Sequence, residues 1–191
     1  DSIMNDFFLA TNRSITVNDI EVRQIQMKDF DTWATHAEPI KQFIKDKDHS
    51  DEILNGLFKD HGVQVISAIA CVTDLDNQSL FNLVSDEHTF KELLKTVLLV
   101  NQAYFKYEKP KRGAKKVQTS EATWFDSFQF LVSMGHQHSE IMEMTYGAFD
   151  GYVKAANKMY RQEIINSAVA ARVAQSDKKG FEAFKKDMGS D

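Results

Sequence analysis

The hydrophobic and polar residues of this 191-residue chain follow two different periods. Residues 14–26 alternate apolar and polar side chains around Asn18 and Asp19, which predicts a β-hairpin with its turn at those two residues. From Phe30 onward the apolar residues recur every three or four positions, which is typical of amphipathic helices. Pro39 interrupts the first helical segment, so a kink or two short helices meeting there are expected.

The rest of the first half predicts further helices with recognisable ends. Ser50 followed by two acidic residues is a typical helix start. This helix is expected to end at Gly62 in the left-handed conformation, and the apolar run 63–72 predicts the most buried helix of this half. Ser85 begins another capped helix, whose apolar face extends to Phe105.

The apolar period stops at residues 109–120, which predicts a linker. This strip holds Pro110, Gly113 and five basic residues; the basic residues are Lys109, Lys111, Arg112, Lys115 and Lys116. High charge without apolar periodicity is typical of a solvated connection. We therefore expect a mostly α protein with three parts: an N-terminal helical domain at 1–108 with the hairpin, the linker, and a C-terminal helical extension at 121–191.

The extension resumes the helical pattern at Thr123. Gly135 is expected just after the end of its first helix. Ser139 is expected to cap a short turn, and Thr145 to cap a long helix. A last helical segment is predicted at 178–188. The C-terminal part is therefore predicted to be entirely helical.

The composition supports a helix-rich chain with enough apolar side chains for a core. Apolar residues make up 42% of the chain, with 14 Phe, eight Gly and two Pro. No apolar run approaches the ~18–20 residues needed to cross a bilayer, and the first residues lack a secretory signal pattern. The single cysteine, Cys71, lies in an apolar run and is expected to be buried. These features favour the reducing cytoplasm, without membrane association.

The charge is distributed unevenly. Residues 1–108 hold 18 acidic and 10 basic side chains, residues 121–191 hold 10 and 8, and the strip 109–120 holds five basic and none acidic. No aromatic residues lie between these five cations and no recognition helix follows them. A solvated linker is therefore favoured over a nucleic-acid site.

The stretch SMGHQHSE at residues 133–140 holds the most conspicuous candidate chemistry. His136 and His138 are two positions apart, whereas two ligands of one metal on a helix lie three or four apart. A structural zinc site normally needs cysteines or more histidines nearby. Exposed loop histidines are therefore expected, with neither a metal nor a cofactor. A metal-dependent enzyme that uses these two histidines stays as an alternative.

Other catalytic patterns are missing from the sequence. There is no Gly-x-Ser-x-Gly and no Gly-rich phosphate loop, and Cys71 has no basic neighbour in sequence to activate it. The acidic pairs at 51–52 and 86–87 lie where helix capping explains them. A protein without enzymatic activity is therefore expected.

A few side chains are candidates for protein binding. Asn101 is polar in the middle of an apolar helix face, so it is either a buried, satisfied amide or a contact point in a groove. Aromatic residues follow it, and two Phe lie one turn apart near the end of the chain. The candidate protein-binding residues are Asn101, Tyr104, Phe105, Phe181 and Phe184.

The order of these segments resembles the tail assembly chaperones of long-tailed bacteriophages. In the N-terminal half the resemblance lies in the hairpin SITVNDIEVRQIQ, the helix HAEPIKQFI, the segment KDHGVQVISAIACVT and the ending VLLVNQAYFK. In the C-terminal half, SMGHQHSEIMEMTYGAFDGYVKAANKM is similar to the extension of the longer, frameshifted form. The resemblance covers residues 13–175.

This resemblance implies a non-enzymatic chaperone that acts in the host cell cytoplasm during phage assembly. In that family the shared domain keeps the tape-measure protein soluble, and the extension recruits tail-tube subunits. The implied partners are the tape-measure protein and the tail-tube protein, with self-association left open and neither nucleic acid nor membrane expected. A structural virion or adaptor protein is the alternative function.

Overall fold

The computed structural model describes residues 5–107 and 123–189. Within them the fold is mostly α with one small β-hairpin, which confirms the predicted fold class. The predicted linker cations Lys109, Lys111, Arg112, Lys115 and Lys116 lie outside the described residues. In chain order the elements are α1 (Asp6–Ala10), β1 (Ile15–Val17), β2 (Ile20–Val22), a 3-10 helix (Met27–Asp29), α2 (Phe30–Ile44), α3 (Asp51–Val72), α4 (Asn77–Val84), α5 (Glu87–Val100), α6 (Gln102–Phe105), α7 (Trp124–Ser133), α8 (His138–Glu143), α9 (Tyr146–Ala174) and α10 (Lys178–Asp187).

The β-hairpin forms where the alternating pattern predicts it. Asn18 and Asp19 have φ angles of 48° and 60°, the left-handed pair that a two-residue hairpin turn requires. The antiparallel strands pair Ile15 with Val22, and the Val22 side chain is buried. The hairpin therefore presents one apolar face to the core.

Helix α2 continues through Pro39 as a single element, so the expectation of two short helices is wrong. Proline removes one backbone hydrogen bond, the one to the carbonyl four residues earlier. That carbonyl belongs to Thr35, which lies on the exposed side of the helix. Water can satisfy the freed carbonyl there, and the buried residues on either side of Pro39 hold the helix together.

Helix α3 also continues through its predicted end. The distortion lies at His61, with φ −136° and ψ 31°, and Gly62 does not have a positive φ angle; the predicted left-handed Gly62 is wrong. A Cβ at Gly62 would lie 3.4 Å from the ring of Phe58, an ordinary contact, so packing does not require a glycine here. Val63 is 74% exposed, so the helix beyond the kink buries one face rather than its whole surface.

Two features of the next segment differ from the prediction. Helix α4, capped by Asp76 through the backbone N–H of Ser79, was not predicted. The amphipathic pattern that was expected to run to Phe105 as one helix is divided at Asn101 into α5 and α6. The N-cap of α5 is Asp86, whose side chain accepts from the Thr89 N–H. Local capping chemistry therefore positions these boundaries.

The stretch around the two histidines forms a helix end followed by a short helix. Gly135 has φ 101°, and the His136 N–H donates to the Leu131 carbonyl at 3.1 Å. This is the Schellman arrangement that the sequence predicted at Gly135. The cap of α8 is Gln137, which forms a capping box with Glu140, so the assignment of that cap to Ser139 is wrong.

Thr145 caps α9 as predicted. Its hydroxyl oxygen accepts from the Ala148 N–H at 3.1 Å, and its carbonyl accepts from the Phe149 N–H at 2.9 Å. The same hydroxyl donates to the Leu9 carbonyl at 2.8 Å. The cap therefore also ties the start of α9 to the N-terminal helix.

The chain forms two compact units, unit 1 (Asp1–Gly151) and unit 2 (Tyr152–Asp191). Helices α7 and α8 thus belong to unit 1, which differs from the predicted division at 109–120. Leu131 of α7 and Ile141 of α8 are fully buried. The Met27 N–H donates to the Met144 carbonyl at 2.8 Å. Buried apolar faces and backbone pairing account for their place in unit 1.

A helix needs about 20 mostly apolar residues to cross a bilayer. None of the helices in residues 5–107 and 123–189 combines the length and apolar character needed to cross a membrane.

Candidate protein-binding surfaces

Three of the five predicted protein-binding residues lie in the core of unit 1. Asn101, Tyr104 and Phe105 are all buried, so they offer almost no surface to a partner in this structure. Their position corresponds to the alternative of a buried, satisfied amide with packed aromatic neighbours. That these three residues contact a partner stays a prediction, and their burial does not support it.

The Asn101 amide joins two elements of unit 1. Its Oδ1 accepts from the buried Ile25 N–H at 2.8 Å. Its Nδ2 donates to the carbonyls of Arg23 and Val97, both at 3.2 Å. A buried polar group is tolerated when it is hydrogen-bonded, and these three hydrogen bonds satisfy the amide. Through them Asn101 both ends α5 and holds the chain segment after β2 in place.

Tyr104 lies in an aromatic cluster and carries a charged hydrogen bond. Its ring centroid is 4.6 Å from that of Trp33 in an edge-to-face arrangement, a favourable geometry. Its hydroxyl donates to Glu38 at 2.5 Å. This hydrogen bond lowers the pKa of Glu38, while burial and the neighbouring carboxylate raise the pKa of Tyr104. The residue therefore stabilises unit 1.

Unit 2 holds the other two predicted residues. Phe181 is exposed and Phe184 is half-buried. They lie one turn apart on α10, so both are available in part to another protein. Their assignment to protein binding stays a prediction.

The larger apolar surface of unit 2 lies on α9 and was not selected from the sequence. Ile165 is 54% exposed, and in the described part of unit 2 only Ala156 is buried. The exposed large apolar residues of this helix are Tyr152, Met159, Tyr160, Ile164, Ile165 and Val169. In the sequence, this surface corresponds to apolar residues on nearly every side of the helix. The same pattern is typical of a buried helix, so the sequence alone does not identify an exposed surface.

Unit 1 adds smaller apolar features at its surface. A groove of about 430 Å³ lies between α3, α4 and α5, lined by apolar side chains that include Phe58 and Phe90 and by an equal number of polar or charged residues. These two rings pack edge to face at 5.1 Å. On α7, Phe125 is 78% exposed. Grooves and exposed aromatic residues of this kind are typical of sites that receive apolar side chains of a partner.

The two histidines do not gather further metal ligands. Within residues 5–107 and 123–189, no group of three or more His, Cys, Asp or Glu side chains is arranged to hold a metal ion. The His138 ring packs edge to face against Phe128 at 6.0 Å. Cys71 is half-buried, and burial raises the pKa of its thiol, which disfavours the reactive thiolate.

No family model, curated protein or solved structure matches this chain.

Proposed function

We propose that this chain is a non-enzymatic tail assembly chaperone, which binds a tape-measure protein and recruits tail-tube subunits in the host cytoplasm. The observation that carries the proposal is the long helix of unit 2 with its exposed apolar side chains. A protein that keeps apolar client helices in solution needs apolar surface of its own that is open to a partner. The resemblance in residues 13–175 supplies the identity of the clients.

Two further observations support this proposal. Met159, 60% exposed, has a flexible, polarisable side chain that adapts to differently shaped partners. The groove of unit 1 between α3, α4 and α5, which contains Phe58 and Phe90, offers a second place for a client side chain. A helical client can therefore be engaged at more than one position.

The test is co-expression with the candidate tape-measure protein, followed by measurement of the soluble fraction of that client. The chain should increase the soluble fraction, and a variant with polar residues on the apolar surface should do so less. The variant carries four glutamines in place of exposed apolar residues of α9: Met159→Gln, Ile164→Gln, Ile165→Gln and Val169→Gln. Because these side chains are exposed, the variant should fold normally.

A matched control changes four exposed polar residues of the same helix: Asn157→Ala, Gln162→Ala, Asn166→Ala and Ser167→Ala. This control should keep the client in solution as well as the natural chain does. The natural chain, the glutamine variant and the alanine control are also immobilised and exposed to tail-tube subunits. The natural chain and the alanine control should capture similar amounts, and the glutamine variant should capture less. A tape-measure protein that stays equally insoluble with and without this chain would refute the proposal.

A further inference from the structure

Helix α9 carries its basic side chains on one face within unit 2. The basic positions are Lys154, Lys158, Arg161 and Arg172. At about 100° per residue they lie within about 60° of arc, and at 1.5 Å per residue they span about 27 Å. The only acidic residue between them, Glu163, lies about 160° from Arg161 around the helix. The stripe is therefore uniformly positive along about five turns.

Three of these cations have no carboxylate partner among the described residues. Lys158, Arg161 and Arg172 are exposed, and none forms an ion pair within the described parts of the chain. In unit 1, by contrast, Arg23 and Lys95 each have a carboxylate at 2.7 Å. The charges of Lys158, Arg161 and Arg172 are thus available to another molecule.

The stripe also contains apolar surface at its centre. The spacing of four and three residues continues from Arg161 through Ile165 and Ala168 to Arg172, which is the spacing of a helix-to-helix seam. Ile165 is 54% exposed, and Val169 borders the same face. Phosphate backbones offer no apolar surface for these side chains, so a protein suits this face better than a nucleic acid does.

We propose that this face of α9 binds an acidic amphipathic α-helix of a partner protein, laid lengthwise along it. Partner carboxylates lie opposite Lys158, Arg161 and Arg172, and partner apolar side chains cover Ile165. A second copy cannot use the same face, because cations would then meet cations. This inference deepens the proposed function and rests on the client-binding role proposed for unit 2.

The test uses the full chain and a labelled synthetic helix of about 25 residues, long enough to cover the stripe. The peptide has leucines at seam positions with flanking glutamates, and its counterpart has flanking lysines. Fluorescence anisotropy at low and high salt gives the affinity. The natural chain should bind the glutamate peptide at least about 10-fold more tightly than the lysine peptide, and high salt should reduce this preference.

Matched charge variants locate the contact. Reversal of the stripe in the triple variant Lys158→Glu, Arg161→Glu and Arg172→Glu should weaken binding of the glutamate peptide about 10-fold or more. The control, Lys178→Glu, Lys179→Glu and Lys186→Glu, changes the net charge equally on α10 and should bind like the natural chain. The single variant Ile165→Gln should weaken binding by a smaller factor at every salt concentration.

Several results would overturn this inference. One is an equal loss of binding in both triple variants, and another is peptide binding that is unaffected by reversal of the stripe. A third is tighter binding of a 25-base-pair DNA duplex or of anionic lipid vesicles than of the glutamate peptide. Co-expression separates this outcome from the proposed function. If the chain keeps the client soluble but does not bind the glutamate peptide, only the proposed role of the stripe is refuted. If the chain binds the glutamate peptide but does not keep the client soluble, only the chaperone role is refuted.

Discussion

Unit 1 and unit 2 use the same kinds of side chains in opposite ways. In unit 1 the large apolar residues are mostly buried, and several cations pair with carboxylates, such as Lys28 with Glu143 at 2.9 Å. In the described part of unit 2 only Ala156 is buried, and Lys158, Arg161 and Arg172 of the α9 stripe have no carboxylate partner among the described residues. Unit 1 is therefore built to stabilise itself, whereas unit 2 leaves its contact-forming groups available.

This difference has an energetic meaning. Burying a large aliphatic side chain contributes roughly 1.5–3 kcal/mol to folding, so each buried residue of unit 1 adds to the stability of the chain. An exposed residue such as Ile164 contributes little to folding but can contribute on binding. Removing the same kind of side chain should therefore lower the folding stability in unit 1, whereas in unit 2 it should weaken binding and leave the stability almost unchanged.

The largest contrast is expected for aliphatic truncation. Leu131→Ala in unit 1 should lower the free energy of unfolding by about 2–5 kcal/mol, because it leaves a cavity in a fully buried site. Ile164→Ala in unit 2 should change it by less than about 0.5 kcal/mol. Urea denaturation followed by circular dichroism measures both. Equal effects of the two substitutions would show that the apolar residues of unit 2 are covered in solution.

Leu131 also tests which helices belong together. It lies on α7, in the segment that the sequence assigned to a separate extension. Because Trp124 of α7 packs against Phe30 of α2 with ring centroids 5.1 Å apart, Leu131→Ala should accelerate hydrogen exchange at the amides of α2 as well. Exchange that accelerates only after residue 123 would instead support the division at 109–120.

The next contrast concerns amides. Asn101→Leu should destabilise the chain by about 1–3 kcal/mol, because it leaves the buried Ile25 N–H without an acceptor. Asn157→Leu is the matched change on the exposed side of α9 and should be neutral or slightly stabilising, since leucine is a better helix former. Thermal and urea unfolding of the two variants measure this difference. A neutral Asn101→Leu would contradict the structural role of this amide.

Local chemistry explains which parts of this fold were predictable. The hairpin turn at Asn18 and Asp19 and the helix end at Gly135 need only the conformational preferences of the residues themselves. Gly62 has the same local signal as Gly135, yet it lies inside α3, where the helix continues to Val72. The division of the helix at Asn101 depends on hydrogen bonds to Ile25 and Arg23, which lie far away in the sequence and which spacing does not encode.

The binding surface was less predictable for the same reason. Spacing places Tyr104 and Ile164 equally well on apolar faces, but it does not show which face another helix covers. Tyr104 proves to be buried and Ile164 to be exposed. The sequence spacing alone places Lys158, Arg161 and Arg172 on one helix face, but only the structure shows that these three have no carboxylate partner among the described residues.

A smaller effect is expected at the Tyr104–Glu38 hydrogen bond. Tyr104→Phe should lower the free energy of unfolding by about 0.5–1.5 kcal/mol at pH 7, at the modest end because Glu38 is largely exposed to solvent. The hydrogen bond lowers the pKa of Glu38 in the folded chain. Its contribution is therefore present above the unfolded pKa of about 4.3 and is lost as the pH falls through the lower folded pKa.

Urea denaturation of both proteins at pH 7 and pH 3 tests this sign. The difference in the free energy of unfolding between the natural chain and Tyr104→Phe should be smaller at pH 3 than at pH 7. Tyr107→Phe, at an exposed tyrosine, serves as the control and should show no pH-dependent difference. A difference that grows on acidification would contradict this role of the Glu38 carboxylate.

The smallest effect separates the paired cations of unit 1 from those of the stripe. Lys95 joins α5 to α3 through Asp51 at 2.7 Å, and its ammonium lowers the pKa of that carboxyl. Lys95→Gln should reduce stability slightly, and high salt should remove the difference because exposed ion pairs are screened. Lys158→Gln should leave stability unchanged at every salt concentration. If Lys158→Gln instead lowers stability in a salt-dependent way, this cation has a carboxylate partner within the chain in solution, and the stripe is not free for an acidic helix.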